Sequence, residues 1–296
     1  MSALLLDQAA ARLRAAGIES PRLEARLLLA HVLDIAPETL VQPFVAADSE
    51  EAEVSERYAT AVARRIAGEP LAYVIGRREF WSLDFSVGRG VLVPRPESEK
   101  LVEEAFHAFP DVNARLNVLD LGTGSGCLLL AFLSERTNAR GLGIDASPDA
   151  LLYARTNATA LGLDNRVHFS KGDWARGVNG AFDVIFANPP YLTEAELAEA
   201  PPELRAEPRA AFAGGPDGLD AYRALAAQIG THLNPAGRAF VEVGLGQADA
   251  VAAIFSLAGV ETLRAVPDLL GIPRCLVLAA VPPDGQKVIG NPKESG

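Results

Sequence analysis

Apolar residues recur at helical spacing in the N-terminal part of the chain. Val54, Tyr58, Val62 and Ile66 lie four positions apart and therefore share one face of a helix. Acidic residues crowd the start of this segment, and a glycine and a proline follow its end, as is typical of helix boundaries. Ser20 is expected to cap a preceding helix. The pattern predicts a small helical domain over residues 1–75.

The spacing of apolar residues then changes to the alternation typical of strands. Leu83, Phe85 and Val87 alternate with polar residues, and the turn-forming run 88–90 precedes the apolar residues 91–93. This order predicts a β-hairpin whose turn lies at residues 88–90. We expect the hairpin to form a linker over residues 76–93.

From residue 116 onward, short apolar runs alternate with segments of helical pattern. Alternating strands and helices predict an α/β fold, here a doubly wound, mostly parallel Rossmann-like sheet. We assign this domain to residues 94–282. The tail, residues 283–296, is polar and rich in glycine and proline, and we expect it to be disordered. The predicted strands are LNVLDLG, RGLGID, RVHFSKGD, FDVIFANPP, GRAFVEVG and RCLVLAA.

Charge and composition narrow the possible functions. The 296 residues carry a net charge of −11, which disfavours direct binding to nucleic acid phosphates and suits a basic protein partner, or serves solubility alone. The N-terminus has no basic start, and no apolar run is long enough to span a membrane, so we expect a cytoplasmic protein. Two cysteines and four scattered histidines lack metal-ligand spacing, and no metal site is predicted.

The first predicted strand of the sheet ends in a glycine-rich turn, VLDLGTGSGC, with Asp120 near the strand end. The GxGxG spacing differs from the GxGxxG of a pyrophosphate cradle and favours a nucleoside without phosphates, such as S-adenosylmethionine. The next strand ends in an acid that can accept hydrogen bonds from ribose hydroxyls. The alternative is an ordinary turn between a strand and a helix. The predicted cofactor site contains Gly122, Thr123, Gly124, Ser125, Gly126 and Asp145.

Asp173 and Trp174 follow the third predicted strand of the sheet. The Asp173 carboxylate can accept from an adenine amino group, and the Trp174 ring can pack on the base or elsewhere on the cofactor. Trp174 is equally compatible with a partly buried position in the core. Both residues are candidates for cofactor binding.

The fourth predicted strand ends in Asn188, Pro189, Pro190 and Tyr191. Prolines remove backbone donors and keep backbone acceptors, so this turn offers acceptors only. At the point where strand order reverses, Asn188 is expected to face the glycine turn and the methyl donor, and to bind both cofactor and substrate. The arrangement suits an NH₂ group that stacks on Tyr191. The alternative is a proline-rich turn without a ligand.

The segments GTGSG, GID, GDW and NPPY together resemble class I S-adenosylmethionine-dependent N-methyltransferases. The segment EPLAYVIGRREFWSLDFSVGRGVLVPRPESE is similar to the linker of the HemK-type glutamine methyltransferases, and the resemblance extends over residues 20–281. It implies methyl transfer to the glutamine nitrogen N5 in the GGQ motif of class-1 peptide chain release factors. It also implies S-adenosylhomocysteine as product and catalysis by residues 188–191. We expect the helical domain to dock the release factor, the alternative being that it only stabilises the catalytic domain, and we expect a monomer.

Three alternatives remain open. NPPY also suits an adenine N6-methyltransferase acting on nucleic acid, although the acidic surface disfavours it. A related group methylates a glutamine of a ribosomal protein, but its linker tends to read PRSP where this chain has Pro94–Glu97. Ser98 stands where the release-factor group commonly has Thr, which retains the hydroxyl. The third alternative is a catalytically inactive binding module.

Overall fold

The computed structural model describes residues 2–41, 48–268 and 270–281. Contacts divide the chain into two compact units. Of the described residues, the first unit comprises 2–41, 48–78, 87–89 and 200–208, and the second comprises 79–86, 90–199, 209–268 and 270–281. The domain boundaries proposed from the sequence remain predictions, and the tail 283–296 lies outside the described residues.

Helices form the first unit around a small apolar core. The predicted helical face is confirmed, because Tyr58 and Val62 are buried there and Val54 and Ile66 pack against the same cluster. Ser20 precedes a helix as predicted, but its side chain makes no capping hydrogen bond. The helices of this unit are α1 Ser2–Ala15, α2 Pro21–Leu33, α3 Asp48–Ile66 and α4 Leu71–Ile75, with α9 Pro202–Ala206 contributed from later in the chain.

A buried cation connects three segments of the first unit. Arg65, near the end of α3, is only 4% exposed. Its guanidinium lies 2.5 Å from the carboxylate of Glu24 on α2 and 2.5 Å from that of Glu203 on α9. A buried charge needs such partners, because an unpaired ion in the interior is strongly destabilising. Arg65 therefore ties α2 and α9 to the end of α3, and segment 200–208 packs within this unit.

The hairpin is present, but its predicted turn was wrong. The two paired strands are β1 Arg77–Phe80 and β2 Leu83–Ser86, so the turn lies at Trp81 and Ser82 and residues 91–93 are not in a strand. Both turn residues adopt positive φ, 54° and 57°, as a two-residue turn between antiparallel strands requires. Carboxylates stabilise this conformation, since Glu99 accepts from the Trp81 N–H and Glu79 from the Ser82 N–H.

The second unit is built on a mostly parallel sheet, as predicted. Its strand order is β5-β4-β3-β6-β7-β9-β8, with parallel pairing from β5 to β7 and antiparallel pairing for β9 and β8. Strands β3 and β6 are neighbours, which confirms the expected point of reversal. The strands are β3 Asn117–Leu121, β4 Arg140–Asp145, β5 Val167–Lys171, β6 Phe182–Ala187, β7 Leu233–Glu242, β8 Val260–Pro267 and β9 Pro273–Ala280.

Helices cover both faces of this sheet. Val118 belongs to the apolar cluster on one face and Leu119 to the cluster on the other, as alternation along a strand requires. No helix in the described ranges is both long and apolar enough to cross a membrane. The helices of this unit are α5 Glu99–Ala108, α6 Cys127–Glu135, α7 Pro148–Ala160, α8 Glu194–Glu199, α10 Asp220–His232 and α11 Ala248–Leu257, with short 3-10 helices at Pro96–Ser98 and Arg209–Ala211.

One buried amide joins the hairpin to the glycine turn. Asn157, on α7, is fully buried, and its Oδ1 accepts from the Ser86 N–H at 2.7 Å. Its Nδ2 donates to the Ser86 carbonyl at 3.2 Å and to the Ser125 carbonyl at 2.9 Å. Asn157 therefore joins the backbone at the end of β2 to the backbone of the glycine turn.

Replacement of Asn157 by alanine is expected to destabilise the second unit. Each backbone group left buried and unpaired costs about 1–3 kcal/mol. Urea unfolding followed by tryptophan fluorescence measures this, because Trp81 and Trp174 both lie in that unit. Thr156→Ala, which removes an exposed hydroxyl bonded to the preceding helical turn, is the matched control. Equal unfolding midpoints for the two variants would contradict the assigned role.

Candidate active site

The glycine turn connects β3 to α6 at the carboxyl end of the sheet. Gly122, Gly124 and Gly126 all have positive φ, at 75°, 55° and 82°, a conformation that L side chains rarely adopt. The N–H groups of Gly122 and Thr123 both donate to the Ile144 carbonyl at 2.9 Å, which holds the turn against the end of β4. At its three glycine positions the turn therefore presents only main-chain atoms.

The two other residues of the turn point inward. Thr123 and Ser125 are 4% and 2% exposed. The Thr123 hydroxyl donates to Asp120 Oδ2 at 2.6 Å, and the Ser125 carbonyl accepts from Asn157. The Thr123 side chain and the Ser125 carbonyl therefore brace the turn from within.

Asp120 is a buried carboxyl group with one oxygen unused. Its Oδ1 makes no hydrogen bond to any residue that the structure describes. Burial raises the pKa of Asp120 to about 7, and the nearby Asp145 acts in the same direction. An unpartnered buried acceptor is costly, so this oxygen suits a ligand group that donates a hydrogen bond or carries positive charge.

Asp145 ends β4 and holds the turn. Its Oδ2 accepts from the Gly124 N–H at 2.8 Å, and its Oδ1 accepts from the Ser147 N–H at 2.8 Å. Burial raises the pKa of this carboxyl above its ordinary value. Each carboxylate oxygen has a second lone pair, so the group can still accept from a ligand hydroxyl.

Asp173 and Trp174 follow β5 at the same edge. Asp173 is exposed and lies 3.3 Å from Arg176, a surface ion pair that contributes little to stability. Trp174 has a positive φ of 52°, and a side chain placed at Gly122 would meet its ring at 3.4 Å. The Trp174 ring therefore lies over the start of the glycine turn and also packs against the core.

Asn188 follows β6 and is fixed by a chain of hydrogen bonds. Its Nδ2 donates to Ser98 Oγ at 3.0 Å, and the Ser98 hydroxyl donates to the carboxylate of Glu242. Ser98 and Glu242 are 2% and 3% exposed. Because the amide nitrogen is engaged with Ser98, the amide oxygen of Asn188 remains available as an acceptor.

Pro189 is buried, and Pro190 and Tyr191 are half-buried. Gln247 Nε2 donates to the Tyr191 carbonyl at 3.0 Å. A side chain at Gly218 would lie 2.4 Å from the Tyr191 carbonyl oxygen, so only glycine fits there. Burial raises the pKa of the Tyr191 hydroxyl to about 12, which keeps it protonated at neutral pH.

A small cavity of about 30 Å³ borders Asn188 and Tyr191. Aromatic and aliphatic side chains form most of its wall, and the Arg95 guanidinium lies 6.0 Å from the centre of the Phe212 ring. The residues that line the cavity are Leu92, Arg95, Asn188, Tyr191, Leu192, Ala211, Phe212 and Glu242.

The structure thus gathers the predicted residues of the glycine turn, β4, β5 and β6 at one edge of the sheet. Sequence reasoning missed Glu242 and the part played by Ser98. The signal for Glu242 was available, because an acid that ends a buried strand beside β6 must lie at this edge. Ser98 gave no such signal, since it lies 90 positions from Asn188.

Comparison with known proteins gives matches over both parts of the chain. The family model for the PrmC N-terminal domain matches residues 5–76, and a model described as a methyltransferase domain matches residues 113–229. A solved methyltransferase structure from Pyrococcus furiosus has the same fold over 75% of this chain and 98% of its own, with a TM-score of 0.52 and 20% identity.

Curated relatives match nearly the whole chain. A release factor glutamine methyltransferase from Rhodospirillum rubrum is 46% identical over 92% of this chain and 83% of its own. One from Caulobacter vibrioides is 44% identical over 87% of this chain and 89% of its own. Identity at this level over most of both chains shows that this chain belongs to the family of release factor glutamine methyltransferases.

Proposed function

We propose that this chain transfers a methyl group from S-adenosylmethionine to the side-chain amide nitrogen of the glutamine in the GGQ motif of class-1 peptide chain release factors. The observation that carries the proposal is the fixed orientation of Asn188, whose amide nitrogen is bonded to Ser98 and whose oxygen is left to accept. An acceptor at this position suits a substrate that presents an NH₂ group. The names of the curated relatives support the choice of substrate.

The residues around the glycine turn fit S-adenosylmethionine. The unpartnered oxygen of Asp120 suits the cationic amino group of the cofactor, and Asp145 retains lone pairs for ribose hydroxyls. Trp174 offers a flat apolar surface and Asp173 an exposed acceptor beside it. When bound, the cofactor supplies an electrophilic methyl group on a sulfonium, and S-adenosylhomocysteine is left as product.

The site residues position a weak nucleophile. The lone pair of an amide nitrogen is delocalised into its carbonyl, so attack requires close placement and acceptors for the NH₂ protons. Asn188 Oδ1 and the Pro189 carbonyl provide two acceptors, and neither proline contributes an N–H that would compete. Tyr191 packs on the amide plane and Pro190 stiffens the turn. The nitrogen gains the methyl carbon and releases one proton to water.

The first unit and the surface charge are consistent with a protein substrate. We propose that the helical domain docks the release factor, that the enzyme works as a monomer, and that it acts in the cytoplasm, where translation takes place. The net charge of −11 suits a basic protein partner and opposes binding to nucleic acid phosphates. Adenine N6-methylation is therefore the weaker candidate. Methylation of a ribosomal protein is weaker for other reasons, namely the sequence Pro94–Glu97 in the linker and the names of the curated relatives.

Replacement of Asn188 by alanine is expected to lower kcat by about 10²–10³, the usual effect of removing one such polar contact in a transition state. The affinity for S-adenosylmethionine, measured by calorimetry, should change little, because the role proposed for Asn188 is to hold the substrate. Asn138→Ala, which removes an exposed amide outside the site, is the control. Full turnover of intact release factor by the Asn188 variant would rule out the assigned role.

Substrate identity is tested with labelled S-adenosylmethionine offered in parallel with release factor, ribosomal protein, DNA and RNA. Methyl incorporation is expected in the release factor alone, and mass spectrometry should locate it on the GGQ peptide. A release factor with GGQ changed to GGA is the matched control and should remain unlabelled. Incorporation into nucleic acid, or into the GGA protein at an equal rate, would overturn the proposed substrate.

A further inference from the structure

A buried carboxylate lies behind the acceptor turn. Glu242 ends β7 and is 3% exposed. Its side chain accepts from the Ser98 hydroxyl, and Tyr191 lines the same small cavity. The Asn188 amide is therefore linked to this carboxylate through Ser98.

The hydrogen bonds that join Asn188, Ser98 and Glu242 can run in only one direction when Glu242 is ionised. A carboxylate only accepts, so the Ser98 hydrogen must point toward Glu242. The Ser98 oxygen then accepts, and of the two polar atoms of the Asn188 amide only the nitrogen can donate to it. The Asn188 oxygen is consequently turned away from Ser98.

The direction is lost when Glu242 is neutral. A protonated carboxyl can donate to Ser98, whose hydroxyl is then free to donate to the amide oxygen of Asn188. The amide would turn over and present its own NH₂ group to the NH₂ group of the substrate. Two donors facing one another cannot form a hydrogen bond, so this arrangement is unproductive.

We propose that Glu242 and Ser98 are positioning residues that hold the Asn188 amide with its oxygen toward the methyl-accepting nitrogen. This inference rests on the proposed function for its kinetic consequences, whereas the orientation of Asn188 can be tested without any substrate. Neither residue contacts the reacting atoms in this role. Both act through Asn188.

A double-mutant cycle tests whether Ser98 acts through Asn188. Ser98→Ala should lower kcat roughly tenfold, the effect of about 1.4 kcal/mol for one lost hydrogen bond. Ser98→Thr should restore most of the activity, because threonine keeps the hydroxyl. In the Asn188→Ala background, Ser98→Ala should have no further effect beyond about twofold, since coupled residues are not additive. Multiplicative losses would overturn the proposal.

Two controls accompany the cycle. Ser134→Ala removes a hydroxyl that donates to the Ala131 carbonyl outside the site, and it should leave kcat unchanged. The affinity for S-adenosylmethionine should be the same in Ser98→Ala as in the parent chain. A loss of cofactor affinity that accounts for the whole fall in activity would count against positioning.

The orientation itself is measured by NMR on protein labelled with ¹⁵N-asparagine. The side-chain signals of Asn188 are assigned by their loss in Asn188→Ala, and those of the buried Asn157 serve as the internal reference. In Ser98→Ala, the Asn188 NH₂ protons should exchange with water at least about tenfold faster, whereas Asn157 is unchanged. Unaltered Asn188 signals would overturn the proposal, even if the chain proved to methylate another substrate.

The pH profile tests Glu242. Burial raises its pKa to about 7, Glu97 raises it further, and Arg274, Ser98 and Tyr191 oppose the rise. The neighbouring Cys127, Cys275 and Tyr222 titrate well above this range, because burial raises the pKa of each. Burial also raises the pKa of Asp120 at the glycine turn to about 7, so the contribution of Glu242 is the part of the pH dependence that its replacement removes. Only the ionised Glu242 carboxylate fixes the orientation of the Asn188 amide. We therefore expect kcat to be highest above pH 7 and to fall as the pH drops through 7.

Glu242→Gln should have a lower kcat and a weaker dependence on pH than the parent chain, because a neutral amide can both donate to and accept from Ser98 and no longer titrates. Glu104→Gln is the matched control, since Glu104 is also a buried carboxylate but bonds Arg264. The control should keep the parental pH profile. An unchanged profile in Glu242→Gln would contradict the proposal.

Discussion

The position of β6 between β3 and β7 is the constraint on which the site depends. Leu121 pairs with Ala187, and Ala187 pairs with Val241. Because the three strands are parallel, the residue that follows each of these lies at the same edge of the sheet. These three following residues are Gly122, Asn188 and Glu242, one after each strand pairing. The glycine turn, the acceptor turn and the buried carboxylate are thus placed side by side by backbone pairing alone.

This arrangement buries carboxyl groups that would be unfavourable elsewhere. Asp120 and Glu242 are almost inaccessible, and burial raises the pKa of each to about 7. Hydrogen bonds from Thr123 and Ser98 offset part of that cost. In exchange for this cost, the hydrogen bonds of the site gain a fixed direction, because an ionised carboxylate determines which way its donors point. A neutral acceptor such as a glutamine would fill the same space without imposing that order.

Much of the fold and part of the site follow from local sequence. The period of apolar residues predicted the helical unit and the parallel sheet, and the usual strand arrangement of S-adenosylmethionine-dependent enzymes predicted that β3 and β6 are neighbours. The comparisons confirm the family that the motifs indicated. Strand β8 was missed because it lies at the sheet edge and buries few residues. The hairpin was misplaced because Trp81 and Ser82 adopt positive φ without glycine, supported by a carboxylate 18 positions away. Contacts of that kind are invisible to a local pattern.

The distribution of charge in the site agrees with the chemistry proposed for it. In the proposed reaction the positive charge belongs to the cofactor before methyl transfer and to the amide nitrogen after it, until a proton is released. We propose that Asp120 and Asp145, beside the glycine turn, face the cofactor. The oxygen of Asn188, with Glu242 behind it, would then face the nitrogen. Acceptors that are already oriented need no rearrangement as that charge develops, so an amide can be methylated without a strong base.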